Sequence, residues 1–178
     1  MESRPINQTP MILDSCVIID FLDSDYKILQ LASKHLGPIY IPCQIINEIK
    51  RKNINNRIEL LNIIKCQHYI EILNCNLTEK NLEDYFMLYS NKISFQDYIC
   101  MLFSEKLNYI CVTNDKKLRN LCLYNNINII WGLQILINLN KNLVIKKEYA
   151  IEVFKKIQKA SPNHYNNDLF LKFKKQLV

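Results

Sequence analysis

At 178 residues the chain is long enough for one domain with a single hydrophobic core. Its formal net charge of +6 favours a polyanionic partner only weakly, because many proteins without such a partner carry as much charge. The seven cysteines form no CxxC pair and most lie in apolar runs, which indicates reduced, buried thiols. No apolar run reaches the length of a membrane span and no signal peptide is evident, so we expect a cytoplasmic protein without membrane contact.

Short apolar runs alternate with amphipathic helical segments, which predicts an α/β fold with a central parallel β-sheet flanked by helices. The predicted strands cover residues 11–13, 39–41, 68–73, 107–112 and 127–131, with 68–73 at an edge of the sheet. One predicted helix, over residues 76–90, is expected to bury Leu82, Tyr85, Phe86 and Tyr89. The last part of the chain has only helical patterns and predicts a C-terminal helical hairpin. We therefore expect a tail at 1–10, a domain at 11–142 and a helical extension at 143–178 packed on that domain.

Two predicted strands are each followed by an aspartate. The first strand ends at Asp14, and a helix is expected to begin there with Ser15 as its N-cap. A later apolar run leads in the same way to Asp115 and a helix. Parallel strands share a C-terminal edge, where such sheets bind ligands, so both carboxylates are expected at one site. Taken alone, Asp14 could equally be only a helix cap, since Asp and Ser both lead the N-cap preferences.

Two further acids are candidates for the same site. Glu48 lies at the margin of the apolar face of a helix predicted over residues 44–52, although it could instead be an exposed acid that pairs with Lys52. Asp97 follows Ser94 by three residues, a capping-box spacing that would explain Asp97 by itself. Carboxylates gathered without cations raise one another's pKa, and a metal ion normally stabilises such a group. A set without His or Cys favours Mg²⁺ or Mn²⁺, and hydrolysis of a phosphodiester is the expected chemistry.

At this point the sequence resembles a known family. Residues 12–22, Ile41-Pro42 with Glu48, residues 93–97 and residues 112–118 are similar to the motifs of the PIN domain, found in the VapC toxins of bacterial toxin–antitoxin pairs. The resemblance covers about residues 11–139 and includes all four acids in the family's order. It departs from the family at Cys16, where Asn or a similar polar residue is common.

The resemblance implies a metal-dependent endoribonuclease. Direct ligands of Mg²⁺ or Mn²⁺ would be Asp14, Asp97 and Asp115, and Glu48 would act through water. Ser15 and Thr113 would fix the carboxylates. Phosphates of the RNA would meet Lys116, Lys117 and Arg119, which could equally be an ordinary helix surface.

The family also implies an antitoxin partner that covers the site, and a homodimer. Two other interpretations stay open at this stage. One is an inactive PIN module that binds RNA or a protein. The other is a phosphatase that forms an aspartyl phosphate on Asp14; its usual pattern needs an acid two residues later, where this chain has Cys16.

Overall fold

The computed structural model describes residues 8–51, 56–162 and 164–178. The strands of this part of the chain are β1 (Met11–Leu13), β2 (Ile39–Pro42), β3 (Ile70–Leu73), β4 (Ile110–Val112) and β5 (Ile129–Ile130). Its α-helices are α1 (Ser15–Ser24), α2 (Lys27–His35), α3 (Ile46–Arg51), α4 (Arg57–Cys66), α5 (Glu79–Asp84), α6 (Phe95–Leu107), α7 (Lys116–Tyr124), α8 (Gly132–Lys141), α9 (Lys147–Ala160) and α10 (Asn167–Gln176). A 3₁₀ turn (Cys43–Ile45) precedes α3, and a π-helical segment (Tyr85–Tyr89) follows α5.

The strands form one sheet in the order β3-β2-β1-β4-β5, and every pairing is parallel. In the centre, Met11 of β1 is in register with Ile39 of β2 on one side and with Ile110 of β4 on the other. The predicted α/β fold with a parallel sheet is therefore confirmed, and β3 lies at an edge as expected. The fourth strand is shorter than predicted, because α6 continues through Leu107 and ends at Asn108 in the left-handed conformation.

The strand order reverses at the centre of the sheet. All three residues of β1 are buried, as expected for a strand covered on both faces. From β1 the chain builds outward through β2 to β3, then returns to place β4 on the other side of β1. Connections on the two sides of this point diverge, which opens a crevice at the C-terminal ends of β1 and β4.

The helix predicted over residues 76–90 differs from the observed one. Leu82 and Phe86 were expected to be buried but are 39% and 69% exposed, so this part of the prediction is wrong. The π-helical segment widens the turn, with the Ser90 amide donating to the carbonyl of Tyr85, and this breaks the 3.6-residue spacing. Tyr85 and Tyr89 pack instead against the ring of Tyr98, at centroid distances of 5.4 and 5.2 Å.

The two C-terminal helices pack on each other and on the rest of the molecule. The ring of Phe154 in α9 stacks on Phe173 of α10, with 4.9 Å between the centroids. Tyr149 of α9 donates a hydrogen bond of 2.7 Å to Asp25, next to α1. The loop that joins α9 to α10 is thereby brought back to the C-terminal edge of the sheet. None of the helices in the described ranges combines the length and the apolar character needed to cross a membrane.

All seven cysteines lie in the described part of the chain and are free. Four of them are buried as expected: Cys75, Cys100, Cys111 and Cys122. Cys66 is exposed because it is the last residue of α4, beyond the apolar run that precedes it.

Candidate active site

Two of the predicted acids lie where the strand order reverses. Asp14 follows β1 directly, and Asp115 lies three residues beyond the end of β4. The Asp14 amide donates a hydrogen bond of 3.0 Å to the carbonyl of Val112, which ties the end of β1 to the end of β4. Both aspartates are therefore on the crevice in which open parallel sheets bind ligands.

The Asp14 carboxylate is buried and fixed in orientation. Its Oδ1 accepts a hydrogen bond of 2.6 Å from the Ser15 amide, and its Oδ2 accepts one of 2.7 Å from the Thr113 hydroxyl. The Cys16 thiol donates to the same Oδ2 at 3.0 Å. Asp14 is itself the N-cap of α1, so the prediction that Ser15 is the cap is wrong. The extended backbone of Asp14 (φ −73°, ψ 155°) lets its short carboxylate reach the first free amide of the helix.

Asp115 is the N-cap residue of α7, and Asp97 completes the capping box of α6, whose N-cap residue is Ser94; each aspartate uses one carboxylate oxygen for this role. Asp115 Oδ1 accepts a hydrogen bond of 2.7 Å from the Leu118 amide at the start of α7. Asp97 Oδ2 accepts one of 3.2 Å from the Ser94 amide, and the Ser94 hydroxyl accepts one from the Asp97 amide at 3.1 Å. The capping box predicted at the start of α6 is confirmed. Within the described residues, the other oxygen of each aspartate accepts no hydrogen bond.

The acids influence one another electrostatically. Burial raises the pKa of Asp97 to about 6, with a further increase from the negative charges of Asp14 and Asp115, against the opposing effect of its hydrogen bonds with Ser94. Burial is also the main cause of the raised pKa of the Cys16 thiol, followed by the charge and the hydrogen bond of Asp14. The thiol therefore stays protonated and serves as a donor to Asp14. The negative charges of Asp14 and Asp115 disfavour ionisation of Asp97, so a cation bound among these acids would be stabilised by them.

All four predicted acids line a single cavity of about 510 Å³, a volume typical of ligand sites. The rest of its wall comes from α1, α7, α8 and α10, from the loop residues before α6, α7 and α8, and from the α9–α10 loop: Ser15, Cys16, Ile19, Asp20, Ser94, Asn114, Arg119, Trp131, Leu133, Ser161, His164, Tyr165 and Leu169. Glu48 is half-buried in this wall, and Lys52, its alternative partner, lies outside the described residues. A second depression, of about 540 Å³, runs along α4 and contains a single acid, Glu59.

A hydrogen-bond network joins the C-terminal loop to the acidic cavity. The Tyr165 hydroxyl donates to Asp20 Oδ2, and the side-chain Nδ2 of Asn114 donates to the same oxygen at 2.9 Å and to the Tyr165 hydroxyl oxygen at 2.7 Å. Asn114 is held in turn by the Gly132 amide, which donates to its Oδ1 at 3.0 Å. Burial raises the pKa of Asp20 to about 6, in spite of these hydrogen bonds.

Sequence reasoning missed these residues as parts of the site. Asp20 could have been found, because it lies four residues after Cys16 and thus on the same face of α1. Asn114 stands next to the predicted Asp115, so the strand-end argument applies to it as well. Nothing in the sequence places Tyr165 there, because it arrives through the packing of α9 and α10.

Of the three residues predicted to bind phosphate, the structure places one at the cavity and two outside it. Lys116 and Lys117 are exposed at the start of α7 but do not line the cavity. Arg119 does line it, and its Nη1 donates a hydrogen bond of 2.6 Å to the carbonyl of Asn114. Its guanidinium also lies 4.5 Å from the ring centroid of Trp131, within the range of a cation–π contact.

The residues of the cavity suit a hydrated divalent cation. Within residues 8–51, 56–162 and 164–178, no group of three or more His, Cys, Asp or Glu side chains is arranged to hold a metal ion. Mg²⁺, however, usually keeps several waters and needs only one or two carboxylates together with substrate phosphates. The four acids provide oxygen donors only, and two of them have an oxygen that no described group occupies. The donor set therefore fits Mg²⁺ or Mn²⁺ held largely through water, but the arrangement does not provide three direct ligands at once.

No family model and no curated protein matches this chain. Among solved structures, it is similar to a domain of a functionally unknown protein from Methanocaldococcus jannaschii DSM 2661. The TM-score is 0.48 at 21% sequence identity, and the match covers 69% of this chain and 90% of the archaeal one. At these values the similarity carries no argument about function.

Proposed function

We propose that this protein is a metal-dependent endoribonuclease of the PIN type. The proposal rests on one observation: Asp14, Glu48, Asp97 and Asp115 line one cavity at the point where the strand order reverses. Each of these acids has a structural role available to it, but capping does not require four acids around one cavity. The raised pKa of Asp97 supports the proposal, because it reflects first the burial of the carboxyl group and then the negative charges of Asp14 and Asp115, and a bound cation would offset both effects.

In the proposed reaction the chain's own residues hold and orient the reactants. Asp14 is held by Ser15, Cys16 and Thr113, so its carboxylate needs little reorganisation when a hydrated cation binds. Glu48 lines the same cavity and would orient the attacking water. Mg²⁺ or Mn²⁺, when bound, would activate that water and neutralise charge on the phosphoryl oxygens.

The biological context is proposed from the family resemblance. We propose that the protein is the toxin of a type II toxin–antitoxin pair, that it acts on RNA in the cytoplasm, and that an antitoxin covers the acidic cavity. Induced expression should then arrest growth with the wild type but not with Asp97→Asn. Growth arrest by both proteins would contradict the toxin proposal.

The central test is cleavage of end-labelled structured RNA, including tRNA, with Mg²⁺ or Mn²⁺ and with EDTA. Asp97→Asn removes the charge but keeps an oxygen that can accept the hydrogen bond from Ser94, so the cap of α6 is preserved. We expect cleavage by the wild type with metal, and none with EDTA or with Asp97→Asn. Asp84→Asn is a matched control, because Asp84 does not line the cavity. We expect this variant to cleave RNA as the wild type does.

Two results would contradict the nuclease. Cleavage that persists in EDTA and in Asp97→Asn would indicate a contaminating enzyme or another site. Binding of RNA without cleavage, with metal present, would favour the inactive PIN module instead.

A further inference from the structure

Trp131, the single tryptophan of the chain, lies at the edge of the acidic cavity. It follows β5 directly and is the N-cap residue of α8, so it is at the same C-terminal edge of the sheet as Asp14 and Asp115. Its side chain is 43% exposed, although tryptophan is highly buried on average. A large, partly exposed aromatic ring thus borders a polar cavity.

Arg119 fixes the geometry of this ring. Its guanidinium lies over the indole at 4.5 Å and is anchored by the hydrogen bond to the Asn114 carbonyl. The two contacts hold the arginine against the ring, and Trp131 is still 43% exposed with the arginine in place. Arg119 is also the only Lys or Arg among the described residues that line the cavity. An aromatic surface and a cation are therefore presented together beside the acids.

We infer that Trp131 and Arg119 form a subsite for one unpaired base of the RNA strand and its phosphate. The base stacks on the exposed part of the indole, and Arg119 pairs with the adjacent phosphate. A base inside a duplex has both faces covered by its neighbours, so the subsite selects single-stranded RNA. This inference rests on the proposed RNA-directed function and deepens it by naming the two residues that hold a base and its phosphate beside the acids.

The test uses the fluorescence of Trp131, since this 178-residue chain has no other tryptophan. The protein is titrated in EDTA with a short oligouridylate, so binding is measured without metal and without cleavage. Stacking of a base on the indole should quench the emission until the site is saturated. An RNA duplex of the same length and an abasic oligomer should give no saturable quenching.

Variants measure how much the subsite contributes to affinity. With a dye-labelled oligouridylate and fluorescence anisotropy, Trp131→Ala should weaken binding by on the order of tenfold. Trp131→Phe should lie between Trp131→Ala and the wild type, because its smaller ring retains part of the stacking surface. Tyr124→Ala is the matched control: Tyr124 is an 84% exposed aromatic at the far end of α7 from the site, and its loss should change neither affinity nor quenching. Circular dichroism melts establish that each variant is folded.

The outcomes separate this inference from the proposed function. Quenching by single-stranded RNA, with no cleavage by the metal-loaded wild type, would sustain the subsite while contradicting the nuclease. Cleavage by the wild type, without quenching and with unchanged affinity in Trp131→Ala, would overturn the subsite alone. Equal quenching by the duplex, or by the abasic oligomer, would overturn selection of an unpaired base.

Discussion

Protonation of Asp97 should control the affinity of this protein for a divalent cation. With a pKa of about 6, Asp97 is about nine-tenths protonated at pH 5 and about one-tenth protonated at pH 7. A cation that needs the ionised carboxylate must displace this proton. The dissociation constant for Mn²⁺ should therefore be about tenfold lower at pH 7 than at pH 5. An aspartate with the ordinary pKa of 3.8 would be ionised at both pH 5 and pH 7, and the dissociation constant for Mn²⁺ would then differ only about 1.1-fold between them.

The assay is calorimetric titration of Mn²⁺ at pH 5 and pH 7. Asp97→Asn should bind more weakly and lose the dependence on pH. Asp20→Asn is the necessary control, because the pKa of Asp20 is also about 6 and Asp20 lines the same cavity. If Asp20→Asn removes the pH dependence and Asp97→Asn preserves it, the assignment to Asp97 is wrong. Equal affinity at the two pH values in the wild type would refute the electrostatic argument as a whole.

The raised pKa of Asp97 also determines whether the metal-free protein gains or loses stability as the pH rises. The folded state binds the Asp97 proton more tightly than the unfolded state, whose aspartate has a pKa near 3.8. The stabilisation is full below about pH 4 and is lost as the pH rises through 6. The wild type should therefore lose stability relative to Asp97→Asn between pH 4 and pH 7, measured by urea denaturation in EDTA. A difference that grows in the opposite direction would contradict this sign.

Three further changes have defined outcomes. Thr113→Val removes the hydroxyl that donates to the buried Asp14, so urea denaturation should show a loss of about 1–3 kcal/mol and Mn²⁺ should bind about 10- to 100-fold more weakly. Arg57→Ala leaves the largely buried Asp23, whose side chain is 12% exposed, without the guanidinium that pairs with it, and should cost about 3–5 kcal/mol in the same assay; a loss below about 1 kcal/mol would show that this pair behaves as a surface ion pair. Tyr165→Phe removes the hydroxyl that anchors the C-terminal loop to α1, so amide hydrogen exchange in that loop should become faster while β1 and β4 stay protected.

The sequence was a good guide wherever local chemistry decides the structure. Four apolar runs predicted four of the strands, because a strand buried on both faces needs continuous apolar residues. The alternating segment at residues 68–73 predicted the fifth, at an edge of the sheet. The capping box at Ser94 and Asp97 was predictable because both hydrogen bonds join groups three residues apart. Local spacing failed in the helix after Thr78, because the π-helical segment moves Phe86 away from the core.

The candidate site depends in part on the local sequence and in part on the tertiary structure. The residue order alone placed an aspartate after each of two buried strands, Asp14 after β1 and Asp115 after β4, and the shared edge followed from parallel pairing. That β1 and β4 are neighbours is a property of the strand order, which depends on how the helices cover the two faces of the sheet. Trp131 and Tyr165 reach the cavity only because distant segments pack together. Hydrogen bonds and apolar contacts between residues far apart in sequence leave no local pattern, so tertiary structure alone decides which side chains share the site.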